Sequence, residues 1–428
     1  MIGLGGHVGR QASQWKRPKR SVAKVVVALG ALASACGGTD APNAGPRVLR
    51  VGQDYESIQD AVDDAEPDDL VLIGPGTYRE AVTVATPRLT IRGTDRNAVV
   101  LDGAGELIDG FRVTADRVVI ENLTVRNYLI NGVIFSAEEP GAYKAEDAQS
   151  GPVGWRASYV TASNNGLYGL YALGTGPGQF DHNYASGSPD SGIYVGQCRD
   201  CGAIVRDNVA EANAIGYENT NASGVIVAGN VFQKNRVGIT INSADTEQLA
   251  PQAGGTIVAN RIVDNDNPDT PETQGGFGVG VAVAGGRDNS IERNVVTGHP
   301  GAGVVLVDQD GYEPTGNSVV DNSMSGNALD LLLASTVGAA GPNTSNCFDN
   351  GATSTRPDGL EDALPCDKAA GRVVPVPFDL PAAPAGIDYA DVALPPRQPQ
   401  MPGEVDSWTA PAARPSPPDL STITVPAT

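Results

Sequence analysis

The chain has 428 residues and a formal net charge of −21, with 50 acidic against 29 basic side chains. Six of the basic residues and no acid fall in the first 36 positions, so the remainder carries a charge near −27. A surface this acidic repels nucleic acid and offers anionic polysaccharides no unaided attraction, which leaves a neutral glycan, a cation or a protein as partner. Gly is abundant at 53 residues and aromatic side chains are scarce at 5%, a composition suited to many tight turns.

Lys16, Arg17, Lys19, Arg20 and Lys24 precede an apolar stretch over Val25–Leu32, followed by Ala33-Ser34-Ala35-Cys36-Gly37. The apolar stretch is too short to span a bilayer. The order of basic, apolar and small residues before a Cys resembles the bacterial lipobox. That resemblance implies a lipoprotein signal peptide over 1–36, lipid on Cys36, and a membrane-anchored protein on the extracytoplasmic face, at the cell surface or in the periplasm. Residues 37–47 then read as a polar tether.

Val48–Val51 reads as a strand, and Asp54 as the cap of a helix from about Tyr55 to Ala65. Ile58, Ala61, Val62 and Ala65 fall on one face of that helix, which is expected to cover the open first coil of a solenoid. Short apolar strands follow at 70–73, 81–84, 89–91 and 99–101, separated by Gly- and Pro-containing turns.

From about Val118 to Leu333 one phrase recurs: a β-branched pair, an Asn, a second Asn five residues on, a Gly, and another apolar run. The first Asn falls at 122, 183, 208, 230, 260, 294 and 322, with Ser158 in its place between the first two. The second falls at 127, 213, 235, 265 and 327, replaced by Ser163, Ser188 and His299. A period of this size with no helix-length stretch means stacked strand coils, and stacked Asn residues can satisfy the backbone groups of a tight turn. The expected fold is an all-β parallel β-helix of about ten coils over 48–337, with the 55–65 helix at its N-terminal end.

The stretch YESIQDAVDDAEPDDLVLIGPGTYREAVTV, followed by LTIRG, resembles the opening of the pectin lyase-like superfamily of right-handed parallel β-helix proteins. The Asn-Gly coils resemble the repeats shared by carbohydrate-binding and sugar-hydrolysing members of that superfamily and by alginate epimerases. The resemblance implies a right-handed helix and a carbohydrate or cell-envelope partner. It does not supply a catalytic set. The basic residues and calcium cluster of pectate lyases, the paired acids of polygalacturonases and the Asp/Arg set of pectin methylesterases find no counterpart. No cofactor is expected; the acid-rich loops at Asp264–Asp269 and Asp308–Asp310 suggest Ca²⁺ but lack the full spacing of a calcium loop.

Polar insertions interrupt the coils at 137–151, 243–254, 266–276 and 307–314, positions where a solenoid gathers binding loops. Besides Cys36 there are four cysteines, an even number in an exported chain. Proximity pairs Cys198 with Cys201 and Cys347 with Cys366. The second pair closes a region over 338–373. The Pro/Ala-rich tail 374–428 is expected to lie extended, partly along the helix, and to be disordered beyond that.

Aligning the coils on Gly places the residue two positions later on the outer face. The resulting column reads Ile134, Tyr168, Tyr194, Glu218, Thr240, Ala282 and Val305, flanked by Gln197, Asn219 and Asn221. Tyrosine faces beside amides and a carboxylate suit a sugar ring, so Tyr168, Tyr194, Gln197, Glu218, Asn219 and Asn221 are the expected ligand-binding residues. Two functions fit: a non-catalytic binding module, or a polysaccharide lyase, epimerase or glycoside hydrolase using Asp181, His182, Asp190 or Glu218. His182 precedes a ladder Asn on a different strand from the tyrosines, the place of a structural turn residue.

Overall fold

The computed structural model describes residues 45–137, 149–272 and 276–337, and residues 343–427 apart from 344, 370, 381, 410 and 413. Cys36, the leader and most of the tether lie outside the described residues, as does most of the 137–151 insertion.

The chain winds into stacked coils. Among the described residues, each central coil places two short strands in a larger sheet of 20 strands and one longer strand in a smaller sheet of 12. One such coil consists of Gly178–Asp181, Tyr184–Ser186 and Ser191–Cys198. Each strand pairs in parallel with its counterpart one coil away, as Gln179 does with Ile204, Tyr184 with Val209 and Ile193 with Tyr217. Alternation turns every second side chain inward, and the Val, Ile, Leu and Phe of the repeats fill a dry interior. Phe135, Trp155 and Phe180 stack there with ring centroids 5.0 and 4.7 Å apart. Sheet pairing continues past Val337, where Cys347–Asp349 joins Ser318–Val320.

The turn between the two strands of the larger sheet explains the Asn repeat. A residue with left-handed backbone, φ +53° to +65°, makes the corner at Tyr159, His182, Asp207, Gly229, Ala259, Arg293 and Asp321. The next residue is the ladder position, Val160 after Tyr159 and an Asn after each of the others. The Asn Oδ1 accepts from the backbone N–H of the preceding coil's ladder residue and, where that is an Asn, from its side-chain amide as well. Its own amide donates to a backbone carbonyl of the preceding coil. Asn183, Asn208, Asn230, Asn260, Asn294, Asn322 and Asn350 form this ladder. It begins where Val160 N–H donates to Asn183, and it ends where the Glu361 carboxylate accepts from Asn350.

Two expected members do not belong. Asn122 is itself the left-handed corner residue (φ +56°), and the register puts Leu123 opposite Val160 at the ladder position. Ser158 lies two residues before its ladder position and bonds Asp181 instead. The second ladder runs through Ser188, Asn213, Asn235, Asn265, His299 and Asn327. Asn165, rather than Ser163, joins it toward Tyr128, while Asn127 is again a corner residue at φ +59°. A third ladder, Asn289–Asn317–Asn346, went unread in the sequence.

His299 substitutes for Asn because an imidazole offers one donor and one acceptor. Its Nδ1 bonds Asn327 Oδ1 at 2.9 Å and its Nε2 accepts from the Asn265 amide at 3.2 Å. Both bonds require the neutral ring, and burial pulls its pKa down to about 4.

The N-terminal helix spans Ile58–Asp64, shorter than its sequence suggests, and Ser57 rather than Asp54 caps it, accepting from Asp60 N. Glu80 accepts from the N–H groups of Ile58 and Gln59 at 3.0 Å, satisfying two more of the first-turn donors. Ile58, Ala61 and Val62 are buried against the strands Val48–Val51, Leu70–Ile73 and Val82–Val84. The disulfides Cys198–Cys201 and Cys347–Cys366 form as the spacing indicates.

The tail follows the outside of the coils in both directions. It leaves the last coils at Val376–Pro377, reaches Asn164 at Tyr389 and Val392, and contacts Arg96 and Asn97 at Gln398–Gln400. It then turns back, touching Arg92 with Val405 and Ser407, Arg117 with Pro411 and Arg293 with Leu420. Leu420, Ile423 and Val425 pack on Ala228, Val258 and Ala259, so its contacts with the coils continue nearly to the end.

Candidate functional site: a carboxylate and tyrosine cluster on the smaller sheet

The register corrects the outward column at one position. Ile134, Tyr171, Tyr194, Glu218, Thr240, Ala282 and Val305 lie side by side in successive coils. Tyr171 therefore occupies the place expected for Tyr168. The coil contains Gly166 and Gly169 three residues apart, and Gly169 is the one that aligns with Gly132 and Gly192. Its absent side chain lets the Gly192 carbonyl approach to 2.6 Å of where a Cβ would stand. Tyr168 precedes that Gly, opposite Asn131, and still reaches the outer cluster. The three rings pack together, with centroids 4.3 Å apart for Tyr168–Tyr171, 4.7 Å for Tyr171–Tyr194 and 5.1 Å for Tyr168–Tyr194.

This outer face is enclosed rather than open. Tyr168, Tyr171, Tyr194 and Glu218 are 6, 9, 1 and 8% exposed, so the tyrosines do not form a free stacking platform. The 243–254 insertion supplies part of the cover. Asn221 anchors it, donating to Ala244 O at 2.8 Å and accepting from Ala244 N at 3.0 Å, which brings Glu247 to the Tyr194 hydroxyl at 3.2 Å.

Three carboxyl groups meet the tyrosines. Tyr168 donates to Asp190 Oδ2 at 3.1 Å, and the Ser191 hydroxyl lies 3.4 Å from both Asp190 and Glu218. Thr220 and Asn242 donate to Glu218 Oε1 at 2.9 Å. Burial, then the neighbouring Asp190 charge and a hydrogen bond to it, pushes the Glu218 carboxyl well above its ordinary range. Burial also raises Asp190, opposed by hydrogen bonds from Glu218, Tyr168 and Ser191. Both carboxyls are thus held toward their protonated forms, Glu218 the more strongly. Burial pushes Glu247 up to about 7, against the opposing hydrogen bonds of Tyr194 and Gln197. Asp190 and Glu247 are half-buried, whereas Glu218 is buried.

Two further buried oxygens at this face, Gln197 Oε1 and Thr240 Oγ1, have no hydrogen-bond partner among the described residues. Asn219 does not face this cluster. It sits in the column of Val195 and Ile241, which line the interior of the helix. Asn221 holds the insertion, as described above. Of the expected site residues, Tyr168, Tyr194, Asp190, Glu218 and Gln197 come together; Tyr171 and Glu247 were missed. The second Gly of NGLYGLY and the position of Glu247 inside a polar insertion were the available signals.

Asp181 and His182 lie on the larger sheet and take no part. Asp181 is fully buried and accepts from both Arg156 nitrogens at 2.7 Å, from Ser158 at 2.8 Å, from Gln179 at 2.9 Å and from His182 at 2.9 Å. Although burial opposes it, this set of bonds holds Asp181 far below the usual carboxylate range. His182 stacks on Tyr159, the corner residue of the neighbouring coil, at 4.7 Å. The pair is a structural ion-pair network. Asp308, in one of the acid-rich loops, is engaged by the Thr336 backbone and hydroxyl. Among the described residues no group of three or more His, Cys, Asp and Glu is arranged to hold a metal ion.

A family model for the right-handed β-helix region matches residues 146–324. With the parallel coils above, this defines the class of the fold: a right-handed parallel β-helix. No curated protein matches the chain. Among solved structures, the A-module of mannuronan C-5 epimerase AlgE6 from Azotobacter vinelandii is similar at 17% identity and a TM-score of 0.43, covering 70% of this chain and 90% of that one. Pectate lyase Pel9A is similar at 15% identity and TM-score 0.45, covering 73% and 77%, and ORF18 of Geobacillus virus E2 at 14% and 0.46, covering 71% and 62%. Values this low carry no activity across to this chain.

Proposed function

We propose that the protein is a lipid-anchored extracytoplasmic β-helix that acts on a glycan by acid–base chemistry at the Asp190–Glu218–Glu247 cluster. The observation that carries this reading is the gathering of three carboxyl groups with raised pKa values among three tyrosines. Such burial works against stability, since carboxylates lose hydration and repel one another without a compensating cation. Groups held in this way are matched to proton transfer near neutral pH. Glu247, with a pKa of about 7, suits a general acid–base, and the Asp190–Glu218 pair, with both carboxyls raised by burial, supplies a second candidate donor. The neutral tyrosines and the unpaired Gln197 and Thr240 oxygens suit sugar hydroxyls and ring C–H groups.

A second reading, non-catalytic glycan binding, is favoured by the enclosure of Tyr194 and Glu218. A panel of polysaccharides incubated with the soluble chain from residue 37 separates the two. New reducing ends, unsaturated products or changed sugar configuration, reduced at least about 100-fold in Glu247→Gln, support the catalytic reading. Binding without turnover, unaltered in that variant, rejects it.

The lipid anchor rests on the Cys36 context. Cys36→Ala is expected to release the protein from membrane fractions and abolish incorporation of labelled lipid. Membrane retention with no label on the wild-type Cys36 would reject the anchor.

A further inference from the structure

A second cavity lies on the larger sheet, away from the tyrosine cluster, where the returning tail passes over the strands. It encloses about 400 Å³ between the sheet residues Arg92, Glu121, Arg156, Gln179 and Arg206 and the tail around Arg414. Against an acidic chain as a whole, the lining is locally basic. Its charges do not cancel. Glu121 is taken by Arg92 at 2.7–2.8 Å, and the remaining reach of Arg92 goes to the tail carbonyls of Val405 and Ser407. Asp181, beneath the floor, is taken by Arg156 in a two-pronged pair at 2.7 Å.

Arg206 and Arg414 are less fully engaged. The nearest acid to Arg206 is Asp207, at 3.8 Å, beyond hydrogen-bond distance, and the buried Arg206 Nε has no hydrogen-bond partner among the described residues. Arg414 is exposed and forms no ion pair among the described residues. A buried guanidinium N–H without an acceptor is an unfavourable state that a bound oxyanion would relieve.

We propose that this cavity binds a phosphate dianion between Arg206 on the sheet and Arg414 on the tail. Arg414, without an ion pair among the described residues, and Arg206, held only by the longer contact to Asp207, offer two guanidinium groups to the two charges of a phosphate, and their planar forks match its oxygens. The group comes either as free phosphate or as the phosphomonoester of a sugar-sized alcohol. The cavity has room for the latter, and Thr90, Gln179, Thr409 and Ser416 offer hydroxyl and amide partners around it. Binding joins the tail to the coils, so ligand and tail are coupled.

Isothermal titration of the soluble chain with inorganic phosphate, a hexose phosphate and the unphosphorylated hexose tests this. At least one phosphate probe is expected to bind, with affinity falling as salt rises and at least tenfold weaker in Arg206→Gln/Arg414→Gln. Circular dichroism and the unligated unfolding midpoint of that variant check that it is folded. Tighter binding of the hexose phosphate identifies an ester ligand; equal affinity with inorganic phosphate identifies the free ion. No binding of either phosphate probe overturns the proposal, as does equal binding of the plain hexose or unchanged affinity in the folded double variant.

Discussion

Asn230 ties three coils together. Its Oδ1 accepts from the backbone and side-chain N–H groups of Asn208, its amide donates to Val205 O, and its own N–H donates to Asn260. All are buried, so Asn230→Ala strands two donors and a carbonyl where water does not reach. The expected cost is about 2–4 kcal/mol, read as a lower midpoint in urea unfolding; a change below about 0.5 kcal/mol would show that the ladder is ornamental. The need for Asn was legible in the repeat, but its phase was not. Asn122 and Asn127 carry the right letter one residue early. Both adopt the left-handed backbone that Asn tolerates, and the ladder is occupied there by Leu123 and Tyr128. Asn serves both roles, and only the coil-to-coil register separates them.

The strands and the N-terminal helix follow from local pattern, because period-two alternation and a one-sided apolar stripe report directly which face is buried. Their boundaries do not. Ser57 and Asp54 can both cap a helix, and the choice of Ser57 depends on Glu80, which comes from the connection between the strands Gly76–Tyr78 and Val82–Val84 to meet the free N–H groups. The same limit shifted Tyr168 and Tyr171: two Gly residues in one coil permit two alignments. The correct one is chosen by the close approach of Gly169 to the next coil's backbone. Outward alternation was read correctly for Tyr194 and Glu218, but not their burial, since the covering insertion is held by Asn221 and no periodicity describes it.

At the scale of the molecule, the carboxylate cluster sets a pH dependence. Glu247 has an ordinary pKa of 4.5 and a folded value of about 7. Between those values the folded chain keeps a proton that the unfolded chain has released, so stability falls as pH rises through this window. After discount for its partial exposure, the loss is on the order of 2 kcal/mol. Glu247→Gln is expected to gain that much relative to wild type between pH 4.5 and about pH 8, measured by urea unfolding at both. His299, held neutral with a pKa of about 4, acts in the opposite sense, losing stability as pH falls below about 6.5. It contributes equally to both proteins and cancels from the comparison. An equal difference at both pH values would mean that Glu247 ionises as an ordinary carboxyl.

By itself the sequence determined the stacked-coil architecture, the Asn ladders in outline, both disulfides and the face on which Tyr194 and Glu218 stand. Each of these is written in a short period or a small spacing, and local geometry repeats wherever the period repeats. Tertiary structure alone decided that Asp190, Glu218 and Glu247 converge, that Asp181 and His182 are locked to Arg156 on the other sheet, and that the tail returns along the coils to roof a basic cavity. Those are meetings of residues tens to hundreds of positions apart. They depend on register, insertion length and the path of a Pro-rich segment, none of which leaves a periodic trace in the chain.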